Sequence, residues 1–181
     1  MHVKNANPVS WLVYSLLLGS WLVLGTGCGA KPKAKEAPAE PKTVADVFNI
    51  GLGDVTAHLQ VAITQFEQER GLMGRRNLGT DDGMVFVYRA PRALSYWMRN
   101  TPTPLDIGYF DSKGVLREVY PMYPYDETPV NSHSTQIQFA VEMHQGWYVS
   151  NHVLPGAHLD LKALASALSA RDYKPSEFGL N

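Results

Sequence analysis

The stretch SYWMRNTPTPLDIGYFD, residues 95–111, decides most of what can be predicted about the fold of this chain. It begins inside Leu94–Met98, a run of large apolar and aromatic residues that predicts a β-strand. Pro102 and Pro104 then end that strand, because each removes a backbone donor and holds the preceding residue extended. The remainder predicts a hairpin, made of strand Leu105–Phe110, turn Asp111–Gly114 and strand Val115–Tyr120.

Polar residues form the corner between the first two of these strands, namely Arg99, Asn100, Thr101 and Asp106. In a structural interpretation they pair with backbone groups that the proline-broken corner leaves free, and the sequence favours this interpretation. In a binding interpretation they orient a polar ligand beside Trp97. Because strand aromatics usually face inward, core packing is the expectation for Trp97 itself. The candidate binding set is therefore Trp97, Arg99, Asn100, Thr101 and Asp106.

The same residues resemble a known family signature. Trp97–Thr101 and then Pro104–Ile107 are similar to the Trp-Met-Lys/Arg-Asn-Thr and Pro-Leu-Asp pattern of the domain of unknown function 192 family. Three more segments resemble that family in order and spacing, namely Arg70–Arg75, Asp82–Val87 and Phe139–Trp147. The resemblance covers about Val55 to Leu161 and implies a β-rich, sandwich-like domain. It implies no activity, because the function of the family is not established.

Charge and cysteine content exclude two classes of function. Residues 1–42 contain five Lys and two Glu out of 16 basic and 17 acidic residues, which leaves a net charge of −4 for residues 43–181. A domain of that sign lacks the basic surface expected of a nucleic-acid-binding protein, so no nucleic-acid partner is predicted. The single cysteine, Cys28, excludes an internal disulfide and belongs to the leader, which excludes a thiol enzyme.

The N-terminus predicts export. Trp11–Leu24 is uncharged and, at fourteen residues, short for a membrane span, as expected for the apolar part of a signal peptide. Gly25–Cys28 resembles a bacterial lipobox, although Gly25 stands where the pattern has an apolar residue. Residues 1–28 are therefore predicted to be a lipoprotein signal peptide, with Cys28 lipidated and holding the protein at a membrane. Cleavage after Ala30 and an uncleaved anchor remain alternatives, and all three place the domain in the bacterial cell envelope, facing the periplasm or the exterior.

The rest of the chain predicts a tether, one domain and a helical tail. Residues 29–42 are rich in Ala, Pro and Lys and predict a flexible linker. The β domain spans residues 43–161, and the spacing of Leu161, Leu164 and Leu168 predicts a helix in the tail, residues 162–181, that packs on the sheet or docks elsewhere. Further predicted elements are strand His58–Thr64, helical turn Gln65–Arg70, strand Gly83–Tyr88 and strand Thr135–Glu142.

These elements define the fold class. At least six strands with only short helices predict a mainly β domain, a compact antiparallel sandwich or barrel of jelly-roll-like form with a C-terminal helix. A parallel βαβ arrangement is not expected, because the predicted strands rarely alternate with full helices.

Catalytic and metal-binding motifs are not recognisable in the sequence. It contains no nucleophile elbow, phosphate loop or paired-histidine zinc motif, so no cofactor and no metal site is predicted. Among the histidines, a metal site at His144 and His152 is a minor alternative to ordinary hydrogen-bonded histidines.

Two functional hypotheses remain. The first, which the sequence favours, is a non-catalytic envelope module that binds a small molecule, a glycan or a protein partner. Its aromatic contacts come from Tyr96, Trp97, Trp147 and Tyr148, with Arg99, Asn100 and Asp106 orienting the ligand. The second is a hydrolase or transferase in which Asp106 and/or Glu142 acts as general acid or base, helped by Arg99 and Asn100. A carboxyl group with a shifted pKa in a cleft would favour the enzyme, whereas an Asp106 buried against backbone donors would indicate a structural corner.

Overall fold

The structure is a computed structural model that describes residues 41–180. The predicted signal peptide, Cys28 and residues 29–40 of the predicted linker lie outside the described residues. Within residues 41–180, no helix has the length and apolarity needed to cross a membrane.

The described residues form eight strands, three α-helices and one 3₁₀ helix. The strands are β1 Val47–Leu52, β2 Val55–Ala62, β3 Asp82–Arg92, β4 Ser95–Tyr96, β5 Leu105–Asp111, β6 Leu116–Met122, β7 Val130–Asn131 and β8 Ile137–His144. The helices are α1 Gln65–Arg70, α2 Trp147–Ser150, α3 Leu161–Ala170 and the 3₁₀ helix Pro175–Phe178.

Six strands form one mixed sheet in the order β1-β2-β3-β8-β5-β6, and β4 pairs with β7 in a small second sheet. The mainly β class with short helices and a C-terminal helix is thereby confirmed, in the form of an open sheet whose edges are β1 and β6. The sheet is mainly antiparallel, as predicted, with one parallel pair, β2 and β3. Here α1 and the loop that follows it provide the long crossover that a parallel pair requires.

The two faces of the large sheet are covered differently. Side chains alternate between faces with a period of two, so Phe139, Val141 and Met143 of β8 join one core and Ala140 joins the other. The first core includes residues of α2 and α3, and we call this side the helix face. The second includes Tyr96 of β4 and Met98, which precedes the polar corner, and we call this side the loop face.

A short segment, residues 156–160, forms backbone hydrogen bonds with both edges of the large sheet, at β1 and at the start of β6. The Asp160 N–H donates to the Gly51 carbonyl at 2.8 Å, and the Leu159 N–H donates to the Gly114 carbonyl at 2.8 Å. Single bridges pair Leu159 with Leu52 and His158 with Val115. The pattern of residues Val153–Leu161 predicts a turn and a last strand, but the segment makes only single bridges, because Leu52 ends β1 while Val115 lies just before β6.

The C-terminal tail belongs to the domain. Asp160 caps α3, since its Oδ1 accepts from the N–H groups of Lys162 at 3.0 Å and Ala163 at 2.9 Å. Leu164 and Leu168 of α3 are buried in the helix-face core, and so is Phe178 beyond it. Of the two alternatives that the sequence left open, packing of the helix on the sheet is therefore the one observed.

Candidate functional site

Glu142 is a buried carboxylic acid in the middle of the loop face. It lies on β8, where the register sets it opposite Met84 of β3 and Ile107 of β5, and it is only 5% exposed. Burial raises the pKa of this carboxyl to about 8, and among residues 41–180 no hydrogen bond or ion pair offsets that shift. A carboxyl group that is buried in this way without a partner is rare in folded proteins.

Glu142 lines a cavity of about 300 Å³ on the loop face. The cavity lies between α1 with the turn after it, strand β3, strand β4 and the polar corner. Its aromatic lining consists of Phe86, Tyr88, Tyr96 and Trp97. Its polar side chains, besides Glu142, include Gln65, Gln68, Glu69, Arg70, Ser95 and Thr101. Apolar walls with a few convergent polar groups are the usual composition of a small-molecule site.

Residues in and next to helix α1 hold the helix at one side of this cavity. Thr64 and Glu67 form a capping box, in which Thr64 Oγ1 accepts from the Glu67 N–H at 3.3 Å and Glu67 Oε2 accepts from the Thr64 N–H at 3.0 Å. Gln68 Nε2 donates to the Val87 carbonyl at 2.9 Å, which ties the helix to β3. Gly71 ends the helix with φ of +45°, a conformation that favours glycine.

Hydrogen-bonded tyrosines form the wall next to Glu142. The hydroxyl groups of Tyr88 and Tyr96 are 2.9 Å apart, and the ring of Phe86 meets that of Tyr96 edge-on with centroids 4.9 Å apart. Burial raises the pKa of both tyrosines, so both are neutral phenols at physiological pH. The wall therefore offers apolar ring surface and neutral hydroxyl groups, and no charge.

Trp97 lies at the rim of the cavity, and the expectation that it packs in the core is wrong. It is 43% exposed and comes directly after β4, which ends at Tyr96. The Arg99 guanidinium lies over the Trp97 ring, with Cζ 3.9 Å from the ring centroid. Arg99 Nε and Nη2 also donate to Glu127 Oε2 at 3.0 and 2.8 Å, which holds the stacked arginine in place.

Asn100 matches the structural interpretation of the polar corner, whereas Thr101 matches the binding interpretation. Asn100 has φ of +54°, and its carbonyl accepts from the Gly74 N–H at 2.9 Å, so its contribution is to the turn. Thr101 is buried and lines the cavity, and its Oγ1 donates to the Arg99 carbonyl at 3.2 Å. Trp97 and Thr101 are thus brought together with Glu142, and Arg99 supports Trp97 from outside.

Asp106 lies on the opposite side of the sheet from Glu142. The register pairs Asp106 with Met143 and Ile107 with Glu142, so alternation puts Asp106 on the helix face. Its Oδ2 accepts from the Gly146 N–H at 2.7 Å. Burial raises the pKa of Asp106, and the Gly146 hydrogen bond and the nearby His144 oppose that shift. Asp106 and Glu142 do not form one catalytic pair, and the surroundings of Asp106 match the structural interpretation of the corner.

Two other predicted contact residues also lie on the helix face. The Trp147 Nε1–H donates to Asp81 Oδ1 at 2.9 Å, and the Tyr148 hydroxyl donates to the Val141 carbonyl at 2.9 Å. Both rings are buried in the helix-face core. Within the described part of the chain, no group of three or more His, Cys, Asp or Glu side chains could hold a metal ion.

Sequence reasoning missed most of the cavity wall. Gln65, Gln68 and Glu69 were assigned only to a helical turn, and Tyr88 only to a strand. Their spacing gives a partial signal, since residues 65, 68 and 69 lie on one side of a helix. Nothing in the sequence indicates that this side lies over β3, because the contact depends on the parallel crossover.

Comparisons with known proteins agree with this fold. The family model for domain of unknown function 192, described as an uncharacterised ACR, matches residues 48–161. A crystal structure of a protein of unknown function from Novosphingobium aromaticivorans is 28% identical, with a TM-score of 0.59, over 62% of this chain and 84% of that one. A candidate transcription regulator from Sinorhizobium meliloti is 27% identical, with a TM-score of 0.60, over 62% of this chain and 92% of that one. No curated protein matches the sequence.

Proposed function

This chain belongs to the domain of unknown function 192 family, and on that premise we propose that it is a bacterial envelope lipoprotein whose domain binds a small molecule in the Glu142 cavity. The single observation that carries the binding proposal is the buried Glu142 carboxyl, which lines the cavity with no partner of its own. A ligand would supply the hydrogen bond that the folded chain does not.

The dimensions of the site favour a small molecule over a glycan chain or a protein partner. About 300 Å³ is the lower end of the range for small-molecule sites, and a protein interface would need a far larger surface. Trp97 at the rim and Phe86 inside give flat apolar contact. Gln65, Gln68 and Thr101 surround that surface with polar groups that fix orientation.

Blocking the cavity tests the binding proposal. Ser95 is exposed and lines the cavity, so Ser95→Trp fills it from the rim without disturbing the core. Ser166→Trp, on the exposed side of α3, is the matched control. A soluble fragment library containing cations, anions and neutral compounds is screened against the full chain by ligand-detected NMR. We expect a set of fragments that bind the wild type and Ser166→Trp but lose binding to Ser95→Trp. Equal binding to all three proteins would contradict a ligand site in this cavity.

Membrane attachment is proposed from the leader and Cys28, and it has its own test. The intact mass of the protein from its membrane fraction is compared with that of Cys28→Ala. We expect a diacyl or triacyl mass that the variant lacks. An unlipidated mass that begins at Lys31 would instead indicate a free secreted or periplasmic domain.

A carboxylate-dependent hydrolase or transferase is the second candidate, favoured by one observation. Glu142 is a carboxyl in a cavity with a pKa near 8, so it is protonated at pH 7 and able to act as a general acid. Nitrophenyl esters, phosphates and glycosides are the test substrates. An enzyme would show a rate that falls above about pH 8 and is abolished in Glu142→Gln, while Asp106→Asn would leave the pH profile unchanged. A rate that Glu142→Gln leaves intact would reject this candidate.

A further inference from the structure

The charges around the cavity leave one group without compensation. Glu69 and Arg70 line the cavity and are both exposed, so water is available to them. Glu69 Oε1 also accepts from Gln65 Nε2 at 2.7 Å. Glu142 differs from both, because it is only 5% exposed and has no hydrogen-bond or ion-pair partner among residues 41–180. Any ligand that reaches this carboxyl therefore meets an acid whose negative charge has no other counterion.

The aromatic lining of the cavity attracts positive charge. The faces of Phe86, Tyr88, Tyr96 and Trp97 are electron-rich, and a cation near such faces is stabilised most strongly when water is excluded. Trp97 already has one cation over its ring, that of Arg99. Glu127 pairs with that arginine, so the stacked Trp97–Arg99 pair and its counterion lie together at the rim.

From this arrangement we infer that the ligand of the cavity is a small primary amine in its ammonium form. Its N–H groups donate hydrogen bonds to the Glu142 carboxylate, and its carbon skeleton packs against the aromatic wall. The inference rests on the proposed binding function and names its ligand class. An ammonium ion supplies both the charge and the donors that a buried carboxylate requires. An anion would be repelled by the ionised Glu142, since the opposite charges of Glu69 and Arg70 in the lining offset each other, and a neutral alcohol would leave the ionised carboxylate without a counterion.

Binding of an ammonium ion must compete with a proton for Glu142. The groups that act on this carboxyl from neighbouring elements are tyrosines whose raised pKa values keep them neutral, namely Tyr88, Tyr96, Tyr109 and Tyr148. His144, two residues further along β8, is the other nearby side chain of a type that titrates near neutral pH.

The experiment uses matched amines and alcohols on the full chain in detergent. The probes are butyl-, cyclohexyl- and benzylammonium ions, each beside the alcohol of the same carbon skeleton, titrated by calorimetry from pH 5 to pH 9. We expect the amines to bind more tightly than their alcohols at pH 8. Their association constants should rise about tenfold per pH unit up to about pH 7 and level off above pH 8, while those of the alcohols stay flat.

Three substitutions test which side chain causes the pH dependence of amine binding. Glu142→Gln should weaken amine binding at pH 8 at least tenfold and remove the pH dependence, with alcohol binding changed less than twofold. Glu69→Gln and His144→Gln should both keep the pH dependence.

The outcomes separate the two proposals. Alcohols that bind as tightly as amines at pH 8, or amine binding that Glu142→Gln leaves unchanged, would overturn the ammonium inference while the cavity remains a binding site. If neither amines nor alcohols bind, and every fragment binds Ser95→Trp as well as it binds the wild type, both the ligand class and the binding function are rejected.

Discussion

Arg171 and Glu67 form a buried ion pair between elements that lie 104 residues apart in the chain. Arg171 Nη2 donates to Glu67 Oε1 at 2.5 Å, and Arg171 Nη1 also donates to the Val61 carbonyl. Burial acts to raise the pKa of Glu67, but hydrogen bonds from Arg171, Thr64 and Ile63 outweigh it and lower the pKa. The pair thus joins the end of α3 to the helix that lines the cavity.

Removing one partner of this pair should destabilise the fold. Arg171→Met leaves the Glu67 carboxylate buried with only backbone donors, and we expect the free energy of unfolding to fall by about 2 kcal/mol. The measurement is urea denaturation of the full chain. The control is Glu177→Gln, which breaks the exposed ion pair with Arg89 and should cost less than about 1 kcal/mol. Equal effects of the two substitutions would contradict a structural role for the buried pair.

Glu142 should make the stability of the domain fall as pH rises. Its pKa is raised to about 8 in the folded state from an ordinary value of 4.5, so between these two values the folded state binds more protons than the unfolded state. The free energy of unfolding therefore decreases with pH, by at most about 1.4 kcal/mol per pH unit.

Glu142→Gln isolates this contribution. The wild type and the variant are unfolded with urea at several pH values from 5 to 8, and their free energies of unfolding are subtracted, which cancels the other titrating groups. We expect the variant to become progressively more stable than the wild type as pH increases. A difference that does not change with pH would show that Glu142 ionises normally in the folded state.

Asp106 should contribute to stability and not to binding. Asp106→Ala removes the acceptor of the buried Gly146 N–H, and we expect a loss of about 1–3 kcal/mol in the free energy of unfolding. Asp106→Asn keeps an acceptor oxygen and should lose less. Fragment binding in the Glu142 cavity should be unaffected in both variants, because Asp106 lies on the other face. A melting temperature unchanged in Asp106→Ala would instead favour a functional role.

Gly108 should tolerate no side chain, because α2 packs directly on it. A Cβ at this position would lie 2.4 Å from the Tyr148 hydroxyl oxygen, and that hydroxyl is buried and bonded to the Val141 carbonyl. We expect Gly108→Ala to lower the free energy of unfolding by about 1–3 kcal/mol in thermal or urea denaturation. Gly51→Ala, where the nearest atom would be 3.3 Å away, is the matched strand control and should lose less. The reverse order would contradict this packing of α2.

Local patterns predicted many of the individual elements. The helical turn Gln65–Arg70 coincides with α1, because Thr64 and Glu67 cap it locally and Gly71 ends it. The strand predicted over Leu105–Phe110 is β5 with one more residue. Strand β1 was not predicted, since Val47–Leu52 was included in the start of the domain without an element of its own. Of the predicted strand Leu94–Met98, only the two residues of β4 are observed as a strand, because only two residues of β7 pair with it.

Local sequence patterns placed only some of the residues of the candidate site. The motif Trp97–Thr101 pointed to the right side of the sheet, and two of its residues line the cavity. The position of Asp106 on the other face follows only from the pairing register, since a shift of one residue reverses every side chain of a strand. Glu142 was a candidate from its residue type alone, and nothing in the surrounding alternation showed that its carboxyl would lack a partner.

The sequence by itself determined the family, the mainly β class and the caps and turns of the elements, because these depend on short-range patterns of residue type and on backbone chemistry. Only the tertiary structure decided that β2 and β3 run parallel, that Trp97 is exposed while Trp147 is buried, and that Glu142 and Asp106 lie on opposite faces. The physical reason is that burial, and with it the pKa of a carboxyl group, depends on which distant segments cover it. For Glu142 these are α1, β3 and β4, which come to the same place only when the whole sheet has formed.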